Sequence, residues 1–208
     1  MNDEQNEFEV VEFRFIRTDD NCDIRFGCSN IRGDQPIWSR PYEYPLVLNT
    51  ISKFFSGREE PILVHNSSWG WEGVHVMFKQ ELERLYSVEN SDIKKSSLPN
   101  TFVRDITNPP DEDMVDKYDV VINVSTVEEI SHTPHTSILN NLISQVKPEG
   151  LLVCTFDIPG LDIIETERLL GQKIKDTGER LDGKNSKVKN TNYAHLNCGL
   201  LVLRKMGR

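Results

Sequence analysis

Long apolar runs are missing from this sequence of 208 residues: the longest lie near Val120 to Val124 and Leu151 to Phe156, far short of the roughly 18 residues that cross a bilayer. Cysteine is scarce, with four in the chain. Cys154 and Cys198 fall inside apolar, strand-like runs and read as small buried side chains. Cys22 and Cys28 are too widely spaced for a zinc knuckle. Positive charge is also in deficit, with 24 Lys and Arg against 33 Asp and Glu, a formal charge of -9. That balance opposes the phosphate neutralisation on which nucleic-acid affinity rests, so DNA and RNA are poor default partners. The opening MNDEQNEFEVVEF lacks the basic and apolar regions of a signal peptide, which predicts a chain held in the reducing cytoplasm.

What is present is enough for one folded domain over 1–208: hydrophobic residues make up 37% and charged ones 27%. In residues 8–16, Phe8, Val11, Phe13 and Phe15 alternate against Glu12 and Arg14, a strand with one wet face. From Pro45, the residues Val47, Leu48, Ile51, Phe54 and Phe55 recur at helical spacing up to a stop at Gly57. These two elements form an N-terminal extension over 1–58.

A regular alternation follows over 60–204. Residues 61–68 (PILVHNSS) read as a strand entering a turn, and Val74, Phe78, Leu82 and Leu85 mark a helix. Residues 85–90 and 101–106 read as two more strands. The nearly continuous apolar run over 118–126 predicts a strand covered on both faces. A helix from Thr133 and Pro134 with apolar Ile138, Leu139, Leu142, Ile143 and Val146 leads to a turn at 147–150 and a strand over 151–159. Asp162 with Glu165 resembles a capping box for a helix ending at Gly171, and residues 198–204 supply a last strand. Alternating strands and helices predict an α/β fold, a Rossmann-like doubly wound sheet of mostly parallel strands. Residues 172–190 carry six basic side chains against three acidic ones, a basic insertion that reads as a solvated loop or as an acceptor-docking lid.

In such sheets ligands bind beyond the carboxyl ends of the strands. Those ends carry Asn66, Ser67 and Ser68, then Glu89, Asp105, Ser125 with Glu128, and Asp157. A carboxylate after the second strand can accept both hydroxyls of a ribose, and one after the third can accept an adenine amino group, a pattern that suits adenosine.

On these segments the chain resembles the class I S-adenosylmethionine-dependent methyltransferases, over about 60 to 204. VHNSSWGWEG (64–73) stands where the family has an acidic, glycine-rich loop; Gly70 and Gly73 are kept, with no acidic residue before them. Glu89 and Asp105 match the ribose-side and adenine-side acids, and DKYDVVINVSTVEEI (116–130) with KPEGLLVCTFD (147–157) resembles the fourth and fifth strands. The resemblance implies S-adenosylmethionine as cofactor, held by Asn66, Ser68, Trp69, Gly70, Trp71, Glu72, Gly73, Glu89, Asp105, Ile106 and Ser125. SRPYEYP (39–45) is also similar to segments of sugar and small-molecule methyltransferases, and with the Trp-Gly-Trp-Glu-Gly loop the chain resembles the sugar O-methyltransferases of large algal viruses. That implies a sugar or glycan acceptor, contacted by Trp38, Arg40, Glu43 and Tyr44, and leaves a homodimer open. Many family members have Glu-His after the fourth strand; Glu128-Glu129 stands here, so no divalent metal is carried over.

An alcohol acceptor needs its proton removed, and His132, His135, Glu128 and Asp157 are expected on the acceptor side, with His132 the preferred base. His65, inside a strand, reads as a packed, hydrogen-bonded histidine, and His75 falls on the early turn of a helix; neither is the preferred base. Two alternatives stay open: a protein methyltransferase, and a non-catalytic module whose altered loop no longer holds cofactor.

Overall fold

The computed structural model describes residues 7–17, 19–23, 25–26, 31–32, 35–36, 39–70, 74–176 and 197–207. Strand β1 (Phe8–Phe15) comes first, then the two-residue strands β2 (Ile31–Arg32) and β3 (Gln35–Pro36), which pair only with each other. Helix α1 (Arg40–Phe54) precedes β4 (Leu63–Ser67), α2 (Val74–Leu85), β5 (Ser87–Asp92) and β6 (Thr101–Val103). Then follow β7 (Tyr118–Val124), α3 (His135–Ile143), β8 (Val146–Ile158), α4 (Ile163–Leu170) and β9 (Asn197–Lys205).

Seven strands form one sheet in the order β1-β9-β8-β7-β4-β5-β6. The run from β8 to β6 is parallel, and β9 and β1 are antiparallel to their neighbours. The mixed α/β, mostly parallel architecture expected from the alternation is therefore the one present. The N-terminal strand does not stand apart: it closes one edge of this sheet.

Every residue of β7 is buried, because helices cover both faces. Val120, Ile122 and Val124 face α1 and α2, packing with Val47, Ile51, Phe78 and Leu82. Val121, between them, joins Ile138, Leu139 and Leu142 of α3 and Leu170 of α4 on the other face. The same two-residue period divides Leu151 and Val153 from Leu152 and Cys154 in β8.

Local chemistry explains the ends of elements. Helix α1 starts at Arg40, five residues before the predicted Pro45 start, with Pro41 in its first turn. Pro45 has no N–H for the Pro41 carbonyl, and that carbonyl instead accepts from the Asp23 N–H at 2.8 Å. At α4 the cap is as read: Asp162 Oδ1 accepts from the Glu165 N–H at 3.0 Å, and Gly171 ends the helix at φ 62°. The turn expected at 147–150 is absent, since β8 runs straight through it. Gly150 permits this, because a Cβ there would stand 2.6 Å from the Asp119 carbonyl oxygen. No helix among the described residues is long and apolar enough to cross a membrane.

Candidate functional site

The chain winds outward from β4 in two directions, to β5 and β6 on one side and to β7 and β8 on the other. The crevice at such a reversal is where an open α/β sheet offers its strand ends to a ligand. A cavity of about 510 Å³ lies there, within the size range of small-molecule sites.

Its floor is the turn leaving β4. Asn66 donates from Nδ2 to Asn90 Oδ1 at 3.0 Å, Ser68 takes a left-handed φ of 55°, and the Trp69 N–H donates to the Ser91 carbonyl at 3.2 Å. Trp69 is buried, and its indole Nε1 finds no hydrogen-bond partner among the described residues. Gly70 has φ 82°, and a Cβ there would stand 2.8 Å from the His75 ring, so the turn requires glycine. Asn66, Ser68, Trp69 and Gly70 all line the cavity. Trp71, Glu72 and Gly73 lie outside the described residues.

The ribose-side carboxylate moves. Glu89 sits in the middle of β5, away from the cavity, and accepts from Lys117 Nζ at 2.9 Å and the Tyr118 hydroxyl at 2.7 Å. β5 continues two residues beyond its predicted end, and its last residue, Asp92, lines the cavity instead. Asp92 Oδ2 accepts from the Gly70 N–H at 3.2 Å and Oδ1 from the Lys94 N–H at 3.0 Å, so each oxygen keeps a lone pair for a further donor. Asp105 and Ile106 line the cavity from the segment that follows the short β6. Asp105 Oδ1 accepts from the Thr107 N–H at 2.9 Å and hydroxyl at 2.7 Å, which hold its carboxyl below the usual aspartate range and leave Oδ2 for another donor.

Helix α1 also contributes to the cavity wall. Arg40 and Tyr44 line the cavity, Trp38 lies outside the described residues, and Glu43 does not touch a ligand space at all. Glu43 is fully buried beneath: Oε1 accepts from the Ser125 hydroxyl at 2.6 Å and the Thr155 hydroxyl at 2.7 Å, and Oε2 from the Ser39 hydroxyl at 2.7 Å and from Arg40 Nη1. Burial pushes this carboxyl up, and the Arg40 charge with the three hydroxyls together pull it below the usual glutamate range. Glu43 thus ties α1 to the ends of β7 and β8 and is a structural anchor. Ser125 lines the cavity with its backbone at φ 44°, its hydroxyl spent on Glu43.

None of the four expected acid–base residues lines the cavity. His132 is exposed in the loop before α3. His135 has both ring nitrogens in use: Nε2–H donates to the Ile130 carbonyl at 3.2 Å and Nδ1 accepts from the Asp162 N–H at 3.0 Å, which ties α3 to the start of α4. Glu128 Oε1 accepts from the Asp157 N–H at 2.6 Å, and burial pushes its carboxyl up to about 8. Asp157, pushed up to about 6 by burial and by Glu43, accepts from the Cys198 thiol at 3.1 Å. The histidine that does reach the cavity is His75, on the first turn of α2, with Nδ1 2.5 Å from the Tyr44 hydroxyl oxygen. Its place on the early turn of a helix does not show in sequence that the Gly70 turn before it brings its ring to the cavity. Among the described residues no group of three or more His, Cys, Asp or Glu is placed to hold a metal ion.

No protein-family model matches the chain, and no curated protein matches it in sequence. Solved structures do match. The CurJ carbon methyltransferase superposes with a TM-score of 0.56 at 12% identity, covering 80% of this chain and 55% of that one. A protein of Galdieria sulphuraria described as a sarcosine dimethylglycine methyltransferase superposes with a TM-score of 0.50 at 10% identity, covering 81% and 86%. The fold is that of the class I methyltransferases. This chain spans about half the length of the CurJ methyltransferase and of the citrinin polyketide synthase methyltransferase domain, of which it covers 55% and 53%. In this methyltransferase fold the cavity lies at the strand reversal.

Proposed function

We propose that the protein binds S-adenosylmethionine in this cavity and transfers its methyl group to a hydroxyl of a small polar acceptor, of which a sugar is the leading class. One observation carries the reading: Asp92 and Asp105, at the ends of adjacent parallel strands, face a single cavity with carboxylate oxygens still able to accept hydrogen bonds. Two such acceptors side by side suit the hydroxyls of a ribose and the amino group of an adenine. The Trp69 Nε1–H, which has no partner among the described residues, adds a buried donor that a ligand can satisfy.

When bound, the cofactor supplies an already activated sulfonium methyl, so the protein's task is alignment and the exclusion of water. Asp92 would hold the ribose, Asp105 the adenine, and Trp69 with Gly70 the floor between them. Helix α1, fixed by Glu43 to Ser125 and Thr155, adds a further wall, and Arg40, Tyr44, Thr126 and Glu129 are left to line the space for an acceptor. A polar, hydrogen-bonding lining of this kind favours a hydroxylated acceptor over an apolar one.

A second reading has its own support. The turn after β4 has no carboxylate before Gly70, and Asn66 gives its Nδ2 to Asn90, which fits a methyltransferase-like module that no longer holds cofactor. Equilibrium dialysis with labelled S-adenosylmethionine separates the two. Saturable binding displaced by S-adenosylhomocysteine supports the enzyme reading, and no retention at millimolar cofactor supports the module.

A further inference from the structure

The cofactor reading assigns the strand ends of β5 and β6 and leaves one polar pair on the cavity wall without a task. Tyr44 reaches in from α1 and His75 from α2, and their hydroxyl oxygen and Nδ1 stand 2.5 Å apart. The pair is held firmly. The Tyr44 ring stacks on Phe78 with centroids 3.9 Å apart and planes 4° from parallel, and meets Phe26 edge-on at 5.4 Å. The His75 ring lies against Gly70, where any side chain would collide with it. Packing alone would be served as well by a phenylalanine at position 44, whereas a phenol hydrogen-bonded to an imidazole beside a cavity can move a proton. Both line the cavity that Asp92 and Asp105 also line, and neither is among the residues assigned to adenosine.

We propose that Tyr44 and His75 form the proton relay that deprotonates the acceptor hydroxyl; the proposal rests on the methyltransferase reading. As the acceptor oxygen bonds to the methyl carbon, the carbon–sulfur bond breaks and its electron pair stays on sulfur. The acceptor proton passes to the Tyr44 oxygen while the Tyr44 proton moves to His75 Nδ1, and His75 then releases a proton to solvent. The surroundings set the resting protonation states. Burial, with the nearby Arg40 charge, lowers the His75 pKa to about 4, against the opposing pull of Glu43 and Asp92, so the imidazole is neutral at neutral pH, a weak base whose Nδ1 lone pair faces the phenol. Burial raises that of Tyr44, so the phenol keeps its proton until the relay moves it. The relay takes the place of His132, which is exposed and does not line the cavity.

The test compares wild type, Tyr44→Phe and His75→Gln in two assays. The first is calorimetric titration with S-adenosylhomocysteine. The second is transfer of a labelled methyl group from S-adenosylmethionine to a panel of methyl glycosides, inositol and catechol between about pH 5.5 and 9. The expected result is product affinity within about threefold of wild type for both variants, with kcat reduced about 100-fold or more and KM for the cofactor unchanged. Unchanged turnover in either variant overturns the relay. So does a parallel loss of S-adenosylhomocysteine affinity, which would place the pair in the cofactor site. A wild type that binds S-adenosylhomocysteine yet methylates nothing on the panel overturns the relay and the hydroxyl acceptor while sparing the cofactor site. A wild type that does not bind it overturns the methyltransferase reading, and the relay with it.

Discussion

Replacing Glu43 by glutamine tests whether this residue holds the α1 wall of the cavity in place. The carboxylate is fully buried and accepts from four donors: Ser125 and Thr155 on one oxygen, Ser39 and Arg40 on the other. A carboxamide keeps one accepting oxygen and turns the other position into a donor, so one of the two donor pairs loses its acceptor. Arg40, only 5% exposed, also loses its counter-charge. Removing one partner of a buried ion pair costs about 3–5 kcal/mol, because the survivor's desolvation is no longer offset. Urea unfolding of Glu43→Gln is therefore expected to show a loss of about that size, as a lower midpoint with an unchanged slope. Replacing both residues by apolar side chains, Arg40→Met with Glu43→Leu, removes the stranded charge and should cost less than the sum of the single changes. A Glu43→Gln protein within about 1 kcal/mol of wild type would refute the anchor, since that is the range of an exposed pair.

Two further outcomes follow from particular side chains. Asp105→Ala removes the adenine-side acceptor and should weaken S-adenosylhomocysteine binding by about 1–3 kcal/mol, read by calorimetry, with no change in thermal midpoint of the free protein beyond the loss of the Thr107 bonds. His65 is buried in β4, with Nδ1 2.8 Å from Gln145 Oε1 and Nε2 2.9 Å from Ser91 Oγ, and burial lowers its pKa from 6.5 to about 4. The folded state thus favours the neutral ring: its contribution is present above pH 6.5 and is lost as the pH falls toward 4. Over that interval wild type should lose about 3 kcal/mol more than His65→Gln, measured by denaturant unfolding at several pH values; parallel curves would contradict it.

Much of the fold could be read from side-chain periodicity, because β7 and β8 are buried on both faces and their apolar runs have no other explanation. Asp105 was legible for the same reason, since it follows a strand at a sheet end. Asp92 was not. Asn90 and Ser91 look like the polar close of a strand, yet both are fully buried, paired with Asn66 and His65 on β4, so β5 continues to Asp92 and the carboxylate facing the cavity is three residues beyond Glu89. The start of α1 was hidden by Pro45, whose missing N–H is tolerated only because Asp23 satisfies Pro41 from elsewhere in the chain. His132 and His135 lie close in sequence to a strand end. That proximity does not show that His132 stays exposed or that both nitrogens of His135 are already engaged. The basic 172–190 segment lies outside the described residues from 177 onward.

The central claim is that the cavity at the end of β4 holds S-adenosylmethionine through Asp92, and calorimetric titration of wild type, Asp92→Asn and Glu89→Gln with S-adenosylhomocysteine tests it most directly. The account predicts one-site binding to wild type, unchanged affinity in Glu89→Gln, and a loss of about tenfold or more in Asp92→Asn, the size of a hydrogen bond to a charged acceptor. No binding by wild type at millimolar ligand, or a loss in Glu89→Gln with none in Asp92→Asn, would contradict it.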